Sequence, residues 1–141
     1  MARLDGLLLA EGLGVDARGA ITLIGLNQNV VVTPSLPTQN RRAVIAHIDA
    51  GELAADDEVT VLFAMLDPGD QVMTSFEVQA KLGGQVPWPE VRPTLDVPAE
   101  VLFVPVAYGT HAIRVTARFS DGTEQSEQVE LYVVKPAVES A

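Results

Sequence analysis

The sequence predicts an all-β fold, an antiparallel two-sheet sandwich of about eight or nine strands, and three observations carry that expectation. Apolar and polar residues alternate with a period of two along most of the chain. Turns rich in glycine, proline and aspartate interrupt the alternation roughly every 8–12 residues. No stretch sustains the 3.6-residue period of an amphipathic helix.

The clearest strand is His111 to Phe119, which puts Ile113, Val115, Ala117 and Phe119 on one face and Arg114, Thr116 and Arg118 on the other. Such a pattern suits a strand with one face in water. Ser120-Asp121-Gly122-Thr123 then turns the chain into Val129-Glu130-Leu131-Tyr132-Val133, completing a C-terminal hairpin. A second hairpin lies in mid-chain. Val59, Val61, Phe63 and Met65 share a face, Asp67-Pro68-Gly69-Asp70 turns, and Phe76, Val78 and Ala80 alternate with Ser75, Glu77, Gln79 and Lys81. Proline presets φ at the second position of that turn, and the glycine is expected to take positive φ at the third. A third hairpin opens the chain, with Leu7 to Glu11 and Ile21 to Leu26 as strands and Asp16-Ala17-Arg18-Gly19 between them.

Two further strands are expected at Arg42 to Ile48 and at Val101 to Val106, where Pro105 points to an edge or a bulge. Gly51 to Glu58 is at most one or two turns of helix. The segment from Thr33 to Asn40 is a polar, proline-punctuated connection, and Gly83 to Pro93 is the longest irregular stretch. Its three prolines remove backbone donors and hold the chain extended. Residues 1–136 form one domain and 137–141 a frayed tail, a size at which a single core suffices.

Composition narrows the chemistry. The 141 residues contain no cysteine, which removes disulfides, thiolate zinc sites and cysteine nucleophiles. A formal charge of −10 opposes binding to phosphate backbones and to anionic membranes. Nucleic acid is therefore not an expected partner, and the basic pairs Arg41-Arg42 and Arg114 with Arg118 read as solvated charges. No apolar run approaches the roughly 20 residues of a membrane span, and none at the start has the length of an export signal, so a cytoplasmic protein without membrane insertion is expected.

The residues offer no catalytic constellation. Of the two histidines, His111 shares its phase with Ile113 and Val115 and reads as a ring packed at the core rim. His47 lies on the face of Ala43, Ile45 and Asp49 and reads as a partly exposed structural residue. The acidic groups Asp56-Asp57-Glu58, Asp67 with Asp70, and Asp49 with Glu52 lack the spacing of a calcium loop, and they read as solvated turn residues and strand-edge guards. Gly83-Gly84 lacks the lysine and helix of a phosphate loop, and Gly12-Leu13-Gly14 lacks the rest of a dinucleotide fingerprint. No enzyme activity, cofactor or metal site is expected.

Trp88, the only tryptophan, stands between Pro87 and Pro89 with Arg92 close by. These four residues are the candidate partner-binding site. Trp88 serves either as a lid over one end of the sandwich or as an aromatic anchor for a protein or a sugar. The expected function is that of a non-enzymatic module binding another protein or its own copies, as an accessory, scaffold or assembly component, for instance of a larger particle. The alternative is a small-ligand or carbohydrate-binding domain that uses the Trp88 loop.

Four stretches, Leu7-Leu8-Leu9-Ala10-Glu11, Gly19 to Gly25, Leu66-Asp67-Pro68-Gly69-Asp70 and Tyr108-Gly109-Thr110-His111-Ala112-Ile113, carry a resemblance across most of the chain. On these the chain resembles short uncharacterised bacterial β-sandwich proteins, domains of unknown function. The resemblance implies an immunoglobulin-like sandwich and brings no catalytic or ligand residues with it.

Overall fold

The computed structural model describes residues 2–51, 57–81, 88 and 90–137, and the expected short helix within 51–58, the greater part of the loop 83–93 and the expected tail fall largely outside them. Among the described residues nine strands follow one another: β1 Arg3–Val15, β2 Ile21–Leu26, β3 Val30–Val32, β4 Asn40–Asp49, β5 Glu58–Leu66, β6 Val72–Lys81, β7 Thr94–Phe103, β8 Gly109–Phe119 and β9 Glu124–Val134. They build two sheets, β2-β1-β4-β7 and β3-β9-β8-β5-β6. The all-β, two-sheet expectation holds.

All three expected hairpins form, and they share one turn geometry. The amides of Gly19, Asp70 and Gly122 donate to the carbonyls of Asp16, Asp67 and Phe119 three residues earlier. The same three residues take positive φ, at 84°, 62° and 90° respectively. This is a tight turn closed by a left-handed residue, a common three-residue hairpin loop. It corrects the expectation for the middle turn: the left-handed position belongs to Asp70, not to Gly69. The Asp67 side chain decides the register, because its Oδ1 accepts from the amides of Gly69 and Gln71, both at 2.9 Å.

The core lies between the sheets. Val44, Ala46 and Ile48 of β4 and Val97, Val101 and Phe103 of β7 meet Val59, Val61, Phe63 and Met65 of β5, and Ile113, Val115, Ala117 and Phe119 of β8. Leu131 and Val133 of β9 close it, with Val129 packed at its margin. Phe63 stacks on Phe76 across the β5–β6 pair, with ring centroids 5.4 Å apart. Pairing of β5 with β8 sets Val59 opposite Phe119 and Phe63 opposite Val115, so the inward phases of the two strands coincide.

Three expectations need correction. The sheets are not wholly antiparallel, since β3 pairs with β9 in parallel. Val30 to Val32 stands between two crossings from one sheet to the other, so no hairpin forces it to reverse direction. Hydrogen bonds from Tyr132 N to Asn29 O and from Thr33 N to Val134 O extend the pair at both ends. The strand expected at Val101 to Val106 is shifted: β7 begins at Thr94 and ends at Phe103, so the proline within it is Pro98 and Pro105 lies beyond it. As β7 is an edge strand, one of its sides has no ladder partner and a proline is tolerated there. Arg42, finally, is no solvated charge. It is 9% exposed, and its guanidinium donates to the carbonyls of Gln28, Arg41 and Val30. It thereby fastens the approach to β3 onto β4. Burial lowers its pKa, opposed by the nearby Glu11 charge.

Candidate functional site

The site begins with β4, which reads Arg42-Ala43-Val44-Ile45-Ala46-His47-Ile48. The even-numbered positions face the core. Yet Ala43 and Ile45, on the outer phase, are also buried, at 0% and 4% exposure. Their neighbours across the ladders are Ala10 and Leu8 of β1 and Glu100 and Pro98 of β7. The outer face of this sheet therefore carries apolar side chains where a simple sandwich would be polar.

Part of that face is covered by the first hairpin. Strand β1 pairs with β4 only as far as Ala10, while its pairing with β2 continues to Val15. The tip residues Gly19 and Ala20, with Ile21 and Leu23, line one cleft with Leu8, Ile45 and Thr94 to Asp96. Thr94 and Asp96 pair with Asp49 and His47, at the end of β4 opposite to Ala43. The hairpin thus doubles back over the sheet and leaves a cleft of about 450 Å³ beneath it. Gly25 permits the bend in β2: its φ is 67°, and a Cβ there would lie 3.0 Å from Glu11 Cβ.

Polar groups border the cleft. His47 Nδ1 donates to Asp96 Oδ1 at 2.5 Å, with both side chains partly exposed. Beside them Asp49, expected to be solvated, is buried with a side-chain exposure of 7%. Its oxygens meet Arg92 Nη2 at 2.9 Å and Arg3 Nε at 3.8 Å, and they accept from the Gly51 amide at 2.9 Å. Burial works to raise the Asp49 pKa, but the Gly51 amide, Arg92 and Arg3 outweigh it and hold the carboxyl below its ordinary value.

Of the four expected site residues, Pro87 and Pro89 lie outside the described residues. Trp88 is 60% exposed, and its carbonyl accepts from the Val91 amide at 3.1 Å. Val91, three residues later, is 46% exposed. Arg92 turns its head to Asp49 and so ties the Trp88 segment to the end of β4. Two residues later the chain enters β7 at Thr94, on the rim of the cleft. An exposed indole, an anchored segment and a cleft with mixed apolar and polar walls therefore occur at one end of one sheet.

The second histidine stands apart. His111 is 1% exposed, and its Nδ1 donates to the Gly109 carbonyl at 3.2 Å. Its Nε2 is buried and has no hydrogen-bond partner among the described residues. No group of three or more histidine, aspartate or glutamate side chains suited to hold a metal occurs among the described residues. Nor is any helix among them long and apolar enough to cross a membrane.

Sequence reasoning singled out Trp88 and Arg92 but missed Ile45, Leu23 and the cleft. The signal was the unbroken apolar run from Ala43 to Ala46, which marks a strand covered on both faces. No family model matches the chain, and no curated protein is similar to it in sequence.

Proposed function

We propose that the protein is a non-enzymatic, immunoglobulin-like module that binds another protein as an accessory, scaffold or assembly component. The observation that carries this reading is the exposed Trp88, on the segment that Arg92 ties through Asp49 to the end of β4 in the β2-β1-β4-β7 sheet. An aromatic side chain left largely in solvent, on a segment tethered by the Arg92–Asp49 ion pair, can be buried by a partner at a low cost in chain ordering. The strand order supports the immunoglobulin-like part of the reading. Strands β1, β4 and β7 oppose β9, β8, β5 and β6, much as strands A, B and E oppose G, F, C and C′ in immunoglobulin domains. The resemblance to short bacterial β-sandwich proteins belongs to the same reading.

The cleft under the first hairpin favours a second reading, a small-ligand site with apolar walls and the His47–Asp96 pair at its rim. One experiment separates the two. Melting temperature and partner capture are measured side by side for Trp88→Ala and Leu23→Ser. Selective loss of protein capture in Trp88→Ala at unchanged melting temperature supports the protein-binding reading. Retained capture in Trp88→Ala, with a small-molecule fraction stabilising the wild type but not Leu23→Ser, supports the ligand reading instead.

A further inference from the structure

The two sheets end in four edges, and these are guarded very differently. In the first sheet the edges are β2 and β7. Strand β2 pairs with β1 alone, and it belongs to the hairpin that doubles back. Strand β7 carries Pro98 at its centre with Asp96 and Glu100 two residues to either side. A proline in mid-strand removes a ladder donor and keeps other strands away. In the second sheet, β3 spans only Val30–Val32. That leaves β6, Val72–Lys81, which pairs with β5 on one side and, among the described residues, has no strand on the other. It contains no proline, and its pairing with β5 is regular from Lys81 to Thr74. A long, regular edge presents a row of unpaired backbone donors and acceptors, which natural proteins seldom leave open without a use.

The side chains of β6 suit one occupant. Its charges are Glu77, which also lies 3.8 Å from Arg118 of β8 in an exposed pair, and Lys81, on the outward phase with Ser75 and Gln79, while Phe76, Val78 and Ala80 face the core. A second β6 laid antiparallel about a two-fold axis at Gln79 places Glu77 opposite Lys81 of the second copy, and Lys81 opposite its Glu77. The same register places Val78 opposite Ala80 of the second copy, so the apolar phase continues across the junction. Opposite charges directly across an antiparallel pair stabilise it, whereas like charges in that position oppose it. Moving the axis to Glu77 would set two glutamates face to face, so charge favours the axis at Gln79 over that one.

We infer that β6 is a self-association edge, through which two copies of this chain join their five-stranded sheets into one continuous sheet. Such a two-fold interface is isologous, each copy giving the same strand. It lies on a different sheet from Trp88 and does not depend on the reading of that residue. Pairing over residues 77–81 is small beside the roughly 1,200–2,000 Å² of standard interfaces, so the association is weak and concentration-dependent.

Sedimentation velocity over a wide concentration range tests this on the full chain and on two charge reversals. The wild type is expected to pass from 15.0 kDa towards twice that mass. Glu77→Lys and Lys81→Glu each replace attraction with repulsion at both symmetric positions and should raise the dimer Kd about tenfold or more. Mixed in equal amounts, the two variants restore opposite charges at every pair and should form a heterodimer. That recovery cannot come from misfolded chains. Lys81→Gln, which leaves no like-charge pair, should weaken the dimer less than the reversal does. A wild type that stays monomeric at every concentration overturns the inference. So does a dimer indifferent to both reversals, or a mixture that remains monomeric.

Discussion

Strands β4 and β8 are central in their sheets, yet they meet the outside of the molecule in opposite ways. Along β8 the outward side chains form a polar ladder with β9. Arg118 meets Glu124 at 2.9 Å, Thr116 shares a hydrogen bond with Ser126 at 2.8 Å, and Arg114 donates to Gln128 at 3.3 Å. Those pairs are directly opposite in the register. Along β4 the outward positions Ala43 and Ile45 are apolar and covered, with the hairpin turned back across them. One sheet presents a polar outer face, and the other an apolar one covered by its own hairpin. On the proposed function, a partner is expected on the first sheet, at the end where Trp88 is exposed.

The largest expected effect tests whether the outer face of β4 is a second small core. Ile45→Ala should destabilise the protein by about 2–5 kcal/mol, as in an interior site, when read from denaturant melts. A loss below about 0.5 kcal/mol would make this face an ordinary surface. Next comes the bend of the hairpin. Gly25→Ala forces a side chain into a left-handed conformation against Glu11 Cβ, which alone costs about 1–2 kcal/mol. Its melting temperature should fall, and hydrogen exchange should rise in the peptide covering residues 19–26 while β8 stays protected.

A third prediction concerns the carboxylate that holds the Trp88 segment. Because the pKa of Asp49 is lowered on folding, its stabilisation is fully present above the unfolded value of about 4 and drains away as pH falls through the folded value. The melting temperature of Asp49→Asn should therefore lie below that of the wild type near neutrality, and the two curves should converge in acid. Curves that stay parallel down to the lowest pH would deny the carboxylate this role. The smallest effect belongs to the other sheet: Arg114→Ala should change stability by no more than about 0.5 kcal/mol, because its side chain is exposed and its bond to Gln128 is long.

The same comparison explains what could be read from the sequence. Strands with one wet face announce themselves, and the stretches around Phe63, Phe119 and Leu131 were placed in the correct phase. The places of the turns are equally plain, since Asp16, Asp67 and Gly122 act within five residues of their own position, although in the middle turn the left-handed residue is Asp70 and not the expected Gly69. What escaped notice depends on residues far apart. Ile45 lies under a hairpin more than 20 positions earlier, Asp49 is tied to Arg92, and Arg42 is consumed by the carbonyls of Gln28 and Val30. In each case a polar or apolar residue has the right type for the surface or the core, and only the tertiary fold assigns it. The candidate site divides for that reason: Trp88 stands out in the sequence as the lone tryptophan framed by prolines, whereas the cleft is made by a fold-back that no local pattern encodes.

Hydrogen exchange of the chain with and without a partner recovered by capture tests the division between the two faces most directly. Added protection is predicted in the peptides covering residues 19–23 and 88–96, with β8 and β9 unchanged. Protection confined to residues 111–119 and 124–134, with none at Trp88 or under the first hairpin, would place binding on the polar sheet and contradict the account.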